Sequence, residues 1–347
     1  MSFARLPRVV FSIGVASLMV SLAVPAHAVT IDMVPVGNAG NANDPATGNL
    51  YGGVNYSYQI GKYDVTIGQY TDFLNAAAAT DTYSLYNSSM GSDSNIKGIQ
   101  QNGSSGSYTY SVIGSANRPI TYVSWFDAAR FANWMTNRQG SGSTETGAYT
   151  LNGATTGNAV AVNPGAAFRL PTENEWYKAA YYSPNYGGSG VAGYYAYATQ
   201  SDTAPGNTIG STANQANWYT GSRFSVTQSG SYRANQNYLT DVGAFSGSES
   251  FYGTFDQSGN VYQWNDLDGL ASSGSSRGLR GGRWSSDYSA FYLSSSNSLP
   301  GDPSGENRYF GFRLASPVAV PEPSTYAMAL AGLACGGYSL FRRRRAR

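Results

Sequence analysis

The segment FRLPTENEWYKAA, residues 168–180, carries the strongest local signal for the fold. A hydroxyl at Thr172 followed by a carboxylate at Glu175 makes a capping box, in which two side chains satisfy the first free N–H groups of a helix. The pattern predicts a helix that begins after Thr172. Its buried face would carry one large ring and two small side chains, which permit close packing: Trp176, Ala179 and Ala180.

The same capping pattern occurs twice earlier in the chain. Thr66 with Gln69 predicts one helix, and Ser124 with Asp127 predicts another. After each cap, apolar side chains recur at the spacing of a helix with one buried face. They are Ile67, Tyr70, Leu74 and Ala77 in the first helix, and Trp125, Ala129, Ala132 and Met135 in the second.

Between the helices, short strand patterns alternate with polar loops. The alternating runs at 56–63 and 310–314 predict strands. Three stretches rich in Gly, Ser and Asn predict long surface loops: 88–107, 140–157 and 187–211. Because no linker divides residues 29–317, we expect one α+β domain with few helices and long loops.

Two residue types that carry much of enzyme chemistry are almost absent. The 347 residues include one cysteine, Cys335, and one histidine, His27, so residues 29–319 contain neither. This excludes a Ser-His-Asp or Cys-His nucleophile, a disulfide within the domain, and metal sites built on thiolate or imidazole. We expect no copper, iron or zinc, whereas calcium is not excluded because it binds oxygen ligands.

The charge pattern disfavours a nucleic-acid partner. Seven of the 21 basic residues and one of the 20 acidic residues lie in the end segments, which leaves 14 basic and 19 acidic residues and a net charge of −5. Such a domain lacks the positive surface that binds phosphate backbones. The low charged fraction, 12%, with 28 tyrosines and 42 glycines, favours a loop-rich extracellular surface.

The N-terminus has the three parts of a secretory signal. Arg5 and Arg8 form a basic region, residues 9–24 form an apolar region, and residues 26–28 form a small-x-small cleavage site. Residues 1–28 are therefore predicted to be a signal peptide, which is removed together with His27.

The C-terminal segment, residues 318–347, carries a second targeting pattern. The sequence VPEP at 320–323 precedes an apolar or small stretch at 324–341 and four arginines at 342–345. The apolar stretch is at the short limit for a membrane helix, and the arginines favour a cytoplasmic end. The trio resembles the PEP-CTERM sorting signal of Gram-negative bacteria.

That resemblance implies recognition by an exosortase, removal of the tail, and delivery to the cell surface or extracellular matrix. The alternative is a plain single-span anchor that keeps the protein in the inner membrane. Both interpretations place residues 29–319 outside the cytoplasm.

Six motifs in the middle of the chain occur in a recognisable order. They read QIGKYDVTIGQYTDFLN at 59–75, RPITYVSWFDAARFANW at 118–134, FRLPTENEWYKAA at 168–180, YGTFDQSGNVYQW at 252–264, LRGGRW at 279–284 and GFRLA at 311–315. The series resembles the formylglycine-generating enzyme, or sulfatase-modifying factor, family over nearly the whole mature chain. The resemblance implies a variant of the C-type lectin fold, with a twisted antiparallel sheet, two main helices and long loops.

Most of these motifs have a structural interpretation. Four tryptophans are large apolar groups that we expect in the core: Trp125, Trp134, Trp176 and Trp264. Gly281 and Gly282 are expected to permit a tight turn. The motifs therefore indicate the fold and say little about activity.

The resemblance implies that activity in this family depends on two copper-binding cysteines shortly after the Gly-Gly motif. The corresponding positions lie near Ser286 and Phe291, which cannot supply the thiolates that Cu(I) prefers. Cys335 lies in the C-terminal tail. The ergothioneine-synthesis branch of the family holds iron with histidines, which are also absent. We expect no formylglycine generation.

The resemblance also implies a structural calcium around the Gly-Asn motif. Its ligands would be a side-chain oxygen of Asp256, the carbonyls of Gly259 and Val261, and Gln263, which stands where the family has glutamate. The alternative interpretation is that Asp256 and Asn260 only stabilise a turn.

A second family calcium site would use the side chain of Asn217 and the carbonyl of Trp218. Its acidic ligand has no clear counterpart in residues 229–240. Calcium is thus the metal for which the sequence offers candidate ligands, with the first site the better supported.

Two functions are compatible with these observations. The favoured one is a surface-displayed or matrix-associated, non-catalytic module that binds glycans or proteins through loops rich in Tyr, Ser, Gly and Asn. Six tyrosines are candidates for that surface, unless the same cluster packs inward from a strand: Tyr181, Tyr182, Tyr186, Tyr194, Tyr195 and Tyr197.

The alternative is a cysteine-independent enzyme that acts on a peptide or protein. Two carboxylates with separated pKa values can serve as acid and base, and the candidates are Glu173, Glu175, Asp266 and Asp268. The two glutamates are better explained as residues of the first helical turn, where negative charge complements the helix dipole.

Overall fold

The computed structural model describes residues 28–157, 160–266, 277–286 and 289–317. The predicted signal peptide up to residue 27, the C-terminal segment 318–347 and Asp268 lie outside the described residues. Within those ranges the chain forms four α-helices: α1 Ile67–Ala77, α2 Ser89–Ser92, α3 Trp125–Thr136 and α4 Glu173–Tyr181. Short 3-10 helices occur at Pro45–Thr47 and Ala290–Leu293.

The three predicted helices, α1, α3 and α4, are confirmed together with their caps. In each helix, the hydroxyl of the cap residue accepts a hydrogen bond from the backbone N–H of the residue three positions later. The side chain of that later residue accepts a hydrogen bond from the backbone N–H of the cap residue. The pairs are Thr66 with Gln69, Ser124 with Asp127 and Thr172 with Glu175. A cap contributes about 1 kcal/mol through local contacts, so the sequence alone sets where these helices begin.

Eleven short strands lie in the described ranges. They are β1 Met33–Val36, β2 Tyr58–Gly61, β3 Ile99–Asn102, β4 Thr109–Val112, β5 Tyr182–Ser183, β6 Gly193–Tyr194, β7 Tyr262–Asn265, β8 Arg277–Arg280, β9 Leu299–Gly301, β10 Phe310–Phe312 and β11 Ala315–Ser316. One antiparallel sheet has the order β1-β2-β11. A second has the order β10-β7-β8-β9, in which β10 and β7 are parallel. The predicted α+β class is confirmed.

Parts of two segments that were predicted from their composition to be long surface loops have regular secondary structure, so that prediction is wrong for those parts. Residues 88–107 contain the one-turn helix α2 and strand β3, which pairs with β4. Ile99 of β3 and Tyr110 of β4 are buried in the main core, so tertiary burial outweighs the polar composition of the segment. The predicted loop at 187–211 likewise includes β6.

The main core packs α1 and α3 against the second sheet. The tryptophans at 125, 134, 176 and 264 are at most 4% exposed, as predicted, and all but Trp176 belong to this main core. Phe131 of α3 joins the two helices, with ring centroids 5.4 Å from Phe73 and 5.6 Å from Trp134. It also lies 5.4 Å from Phe312 of β10. Truncating such a buried ring to alanine costs about 3–5 kcal/mol.

Buried ion pairs fasten α4 to strand β8 and to the segment that precedes the helix. Glu173 pairs with Arg280 of β8, and Glu175 pairs with Arg169 through both carboxylate oxygens. Both glutamates are fully buried. Removing one partner of such a pair costs about 3–5 kcal/mol, because an uncompensated charge stays buried. These pairs hold in place the start of α4, where Thr172 and Asn174 line one of the clefts described below.

Candidate functional site

A tight turn at residues 281–282, directly after β8, leads to the candidate site. Gly281 and Gly282 have φ values of +98° and +78°, in the left-handed region that side chains rarely adopt. A Cβ on Gly282 would lie 2.9 Å from the carbonyl oxygen of Tyr292, so the predicted tight turn is confirmed. The turn delivers Trp284, whose backbone N–H donates to the carbonyl of Asn260 at 2.9 Å.

Trp284 forms part of a cleft with a volume of about 380 Å³. The described residues that line it are mostly aromatic: Tyr219, Phe224, Gly230, Tyr232, Trp284, Ser285, Arg308 and Tyr309. Trp284 is 2% exposed, whereas Tyr232 is 54% exposed. This aromatic cleft therefore has a buried ring on its inner side and an exposed ring at its edge.

The rings of the aromatic cleft are locked by stacking. Tyr238 lies parallel to Trp284, with centroids 4.8 Å apart, and Tyr232 stacks on Tyr238 at 5.7 Å. Tyr219 and Phe224 stack at 4.2 Å. Each such pair adds about 0.5–1.5 kcal/mol beyond area burial, so the rings are held in place before a ligand arrives.

Arg308 forms the charged rim of the cleft. Its Nη2 donates to the Asp93 carboxylate at 2.6 Å and to the side-chain oxygen of Asn95 at 3.1 Å. Asn95 also accepts from the Tyr232 hydroxyl, and its Nδ2 donates to three carbonyls in residues 233–236. Asn95 therefore fixes the loop that carries the exposed ring.

The rim keeps a positive charge. Burial lowers the pKa of Arg308, but the Asp93 carboxylate and nearby tyrosines raise that pKa above the ordinary arginine value overall. Burial, together with the hydrogen bond to Asp93, raises the pKa of Tyr122 as well. The described lining of the cleft includes one cation and no acid.

Three buried polar atoms at the cleft have no hydrogen-bond partner within the described parts of the chain: Trp284 Nε1, Ser285 Oγ and Arg308 Nε. Buried polar atoms are nearly always paired, so at these three atoms water or a ligand can complete the bonding, as it can at unpaired atoms outside the cleft such as Asp64 Oδ2 and Glu173 Oε2. The sequence reasoning missed this cleft because its rings come from separate segments, at 219–232, 284 and 308–309. The one available signal was the Trp284 motif.

The positions predicted for the missing cysteines differ in their surroundings. Ser286 is buried, and its hydroxyl accepts from the backbone N–H of Arg283 at 3.0 Å. Phe291 is 53% exposed on the 3-10 helix 290–293. One hydroxyl held in a turn and one exposed ring provide no thiolate, so the residues present do not fit copper.

Hydrogen bonds already engage the groups of the first predicted calcium site. The side-chain oxygen of Gln263 accepts from the Trp176 indole at 2.7 Å and from Arg313 Nε at 2.6 Å. The amide nitrogen of Gln263 donates to the carbonyl of Asp256 at 2.8 Å. Since both lone pairs of the amide oxygen have donors, this residue in its present arrangement does not fit a calcium ligand.

Arg313 supplies positive charge at this place. Besides Gln263, its guanidinium donates to oxygens of four residues: Gly61, Lys62, Asp64 and Phe255. Arg313 and Asp64 are both fully buried, with an N···O distance of 3.2 Å. The guanidinium thus joins distant segments through oxygen atoms, as a structural cation would. We call these residues, with Gln263, the Arg313 centre.

The geometry around the Gly-Asn motif agrees with the interpretation that Asp256 and Asn260 stabilise a turn. Asp256 and Asn260 have φ values of +60° and +63°. Burial raises the pKa of Asp256 to about 6, against the opposing effects of the Gly243 N–H and of Arg313. Gly259 and Val261 belong to the same turn, and the N–H of Gly259 donates to the Gly281 carbonyl at 2.6 Å.

The second predicted calcium site is also engaged internally. The amide nitrogen of Asn217 donates to the Tyr238 carbonyl and to the Asn260 side chain, both at 2.9 Å. The carbonyl of Trp218 accepts from two side chains, Asn207 and Ser225. Among the described residues, no group of three or more His, Cys, Asp or Glu side chains gathers to hold a metal. The sequence-based prediction of calcium at these two sites is untested, and the contacts of Gln263 argue against the first of them.

The predicted tyrosine cluster divides between core and surface. Tyr181 and Tyr182 are 0% and 7% exposed, so they belong to the core rather than to a binding surface. Three others, at 194, 195 and 197, are half-buried, and Tyr186 is 39% exposed. Tyr186 packs edge-on against Tyr195 and donates to Asp202 at 2.8 Å.

Three of the four candidate catalytic acids, all except Asp268, lie in the described residues, and they are held in structural contacts. Glu173 and Glu175 lie in the buried pairs of α4, as the helix interpretation anticipated. Asp266 accepts from the Trp125 indole at 3.0 Å and from the Tyr149 hydroxyl at 3.3 Å, and it pairs with Arg277 at 3.4 Å. Burial raises the pKa of Asp266 to about 6.

Comparison with known proteins gives two family matches. The profile of the Sulfatase-modifying factor enzyme 1-like domain matches residues 37–318, and that of the PEP-CTERM protein-sorting motif matches residues 319–345. The second match indicates export with membrane-anchored sorting of the exosortase type. In the described ranges, no helix is long and apolar enough to cross a bilayer. A search of curated protein sequences finds no significant match.

Three solved structures are similar to the chain. CarF is 23% identical with a TM-score of 0.49, and the alignment covers 84% of this chain and 99% of that chain. Variable protein 1 of Treponema denticola is 19% identical with a TM-score of 0.48, covering 84% and 97%. PvdO from Pseudomonas aeruginosa is 18% identical with a TM-score of 0.43, covering 82% and 93%.

Proposed function

Because the chain belongs to the family of Sulfatase-modifying factor enzyme 1-like domains, we propose that it is an exported, non-catalytic member that binds extracellular glycans or proteins. The C-terminal sorting motif would deliver it to the cell surface or extracellular matrix. The aromatic cleft is its binding site.

The composition of the aromatic cleft is the observation that carries this proposal. Rigid rings that present both an apolar face and a polar tip, together with an arginine, are the groups that dominate binding surfaces. Here the rings are already stacked, so a ligand would not have to order them. Binding costs less when the groups are preorganised in this way.

The three candidate acids that the structure describes do not favour the enzyme alternative. A general acid or base must reach the proton that it transfers. Glu173 and Glu175 are fully buried against arginines, and Asp266 is bonded to buried rings. No residue at 286 or 291 supplies the thiolate chemistry of the family.

The experiment is a binding screen with the full-length protein, extracted in a detergent without a sugar headgroup. One arm presents an array of bacterial envelope and matrix glycans, and the other presents purified envelope proteins. We expect Tyr232→Ala to weaken the selected interaction about tenfold, because it removes the exposed ring at the cleft edge. Tyr186→Ala is the matched control, since it removes an exposed tyrosine that does not line the cleft.

Equal losses for Tyr232→Ala and Tyr186→Ala would place the binding site elsewhere. The non-catalytic part of the proposal has its own test, in which a cysteine-containing sulfatase peptide is incubated with the protein, copper and oxygen. We expect no mass loss from thiol to aldehyde. Turnover above a heat-inactivated sample would overturn the proposal.

A further inference from the structure

A second cleft, on the N-terminal part of the domain, differs from the aromatic cleft in its chemistry. Its volume is about 460 Å³, within the ordinary range of small-molecule sites. Its described lining consists of Gly40, Asn41, Gly53, Val54, Asn55, Tyr56, Thr172 and Asn174. Three side-chain amides, the hydroxyl of Thr172 and the ring and hydroxyl of Tyr56 therefore meet there, and no charged side chain belongs to the described lining. We call it the amide cleft.

The wall of the amide cleft is a loop held by internal hydrogen bonds. The side chain of Asn41 donates to the Gly52 carbonyl at 2.7 Å and accepts from the Val54 N–H at 3.2 Å. The side-chain oxygen of Asn174 in α4 accepts from the Gly52 N–H at 2.7 Å, which ties the loop to the helix. The N–H of Gly40 donates to the Val54 carbonyl at 2.8 Å. The wall is thus fixed without a ligand.

The ring in the cleft is also fixed. The Tyr56 hydroxyl donates to Glu175 at 2.9 Å, and Glu175 is itself locked by Arg169. Tyr56 is nevertheless 43% exposed, so part of its ring remains available for contact. Next to it, Asn55 is exposed, and its amide makes no hydrogen bond to any residue in the described ranges. A ligand would meet a rigid ring beside an open amide.

From this arrangement we propose that the amide cleft binds a neutral saccharide. An amide offers a donor and an acceptor side by side, which matches a pair of adjacent sugar hydroxyls. An aromatic ring can pack against the apolar face of a sugar, because it combines apolar area with a fixed orientation. An acidic sugar would bring a charge for which the described lining has no cation, and a buried unpaired charge is costly.

The proposal is independent of the aromatic cleft and is tested with neutral oligosaccharides as probes. Cellotetraose, mannotetraose and galactotetraose are titrated against the full-length protein in a detergent without a sugar headgroup, with tetragalacturonate as the acidic comparator. We expect saturable binding of at least one neutral probe with a dissociation constant of about 1 mM by saturation-transfer NMR. Binding of the acidic probe alone, or of no probe at about 10 mM, would overturn the proposal.

Substitutions then locate the binding. Tyr56→Ala is expected to weaken it about tenfold and Asn55→Ala about threefold, whereas Tyr56→Phe keeps the ring and should keep most of the affinity. Asn102→Ala, on the exposed side of β3, is the matched control for the amide. Tyr232→Ala reports on the aromatic cleft, and Tyr186→Ala, which removes an exposed tyrosine that lines neither cleft, is the control that should leave this affinity unchanged. A loss with Tyr232→Ala and none with Tyr56→Ala would assign the saccharide to the aromatic cleft and overturn the inference.

Discussion

Arg313 and Arg308 belong to neighbouring segments but to opposite kinds of surroundings. The guanidinium of Arg313 is fully buried and donates to oxygens of five residues. Arg308 has a half-buried side chain, bonds to Asp93 and Asn95, and has an Nε without a partner in the described part of the chain. The N–H groups of Arg313 already have acceptors within the protein. Arg308 lies in a cleft, and its Nε–H is available to a ligand.

The contrast separates residues that hold the fold from residues that can bind. Polar groups buried with all their partners rigidify a domain, and losing one partner is expensive. Polar groups beside a cleft with partners missing are the ones that a ligand can use. Membership of a family motif does not separate these two roles. Arg313 of GFRLA holds the fold and Trp284 of LRGGRW lines the aromatic cleft, yet both are motif residues.

The largest expected effect comes from one substitution made in both surroundings. Arg313→Met should lower the free energy of unfolding by about 3–5 kcal/mol, because Asp64 would stay buried without its cation. Arg308→Met should cost about 1 kcal/mol or less, since its pair with Asp93 is partly exposed. Urea unfolding of the two variants measures both values. Similar losses would show that the two arginines have equivalent roles.

A smaller effect is expected in the pH dependence of stability. The pKa of Asp256 is about 6 in the folded chain and near 4 when unfolded, so the folded state holds its proton more tightly. Its contribution to stability is present below about pH 4 and is lost as the pH rises to about 6. Because solvent screens this half-buried group, the change is on the order of 1–2 kcal/mol.

Asp256→Asn should therefore flatten the stability curve between about pH 4 and pH 6, measured by urea unfolding at each pH. Tyr232→Ala, in the aromatic cleft, provides the comparison and should keep the slope of the parent protein. An unchanged slope in Asp256→Asn would mean that the raised pKa belongs to other buried acids.

The smallest expected effect concerns calcium. With the oxygen of Gln263 bonded to Trp176 and Arg313, we expect the melting temperature to be the same in about 1 mM calcium and in chelator. A ligand at 100 times its dissociation constant would add about 2.7 kcal/mol, which a thermal scan resolves. A calcium-dependent rise that Asp256→Ala abolishes would support the calcium site and show that the Arg313 centre can rearrange.

The sequence predicted much of the fold and little of the binding surface. Capping boxes located the starts of α1, α3 and α4, and the four core tryptophans were identified from their size and apolarity. Composition misjudged residues 88–107 and left open whether Tyr181 and Tyr182 are buried, since polar or tyrosine-rich segments do not reveal what packs on them. Both clefts were missed, because each is assembled from segments far apart in the chain.

The sequence by itself determined two kinds of feature. One is local structure that depends on contacts between residues close together in the chain, and the other is chemistry excluded because a residue type does not occur in the domain. A cap at Ser124 needs only Asp127, and the lack of cysteine and histidine in residues 29–319 needs no coordinates at all. The tertiary structure alone decided the partner of Gln263, because Arg313 lies 50 residues away and meets it only when β7 and β10 pair. The same reason holds for the rings around Trp284, whose stacking depends on loops that the folded core brings together.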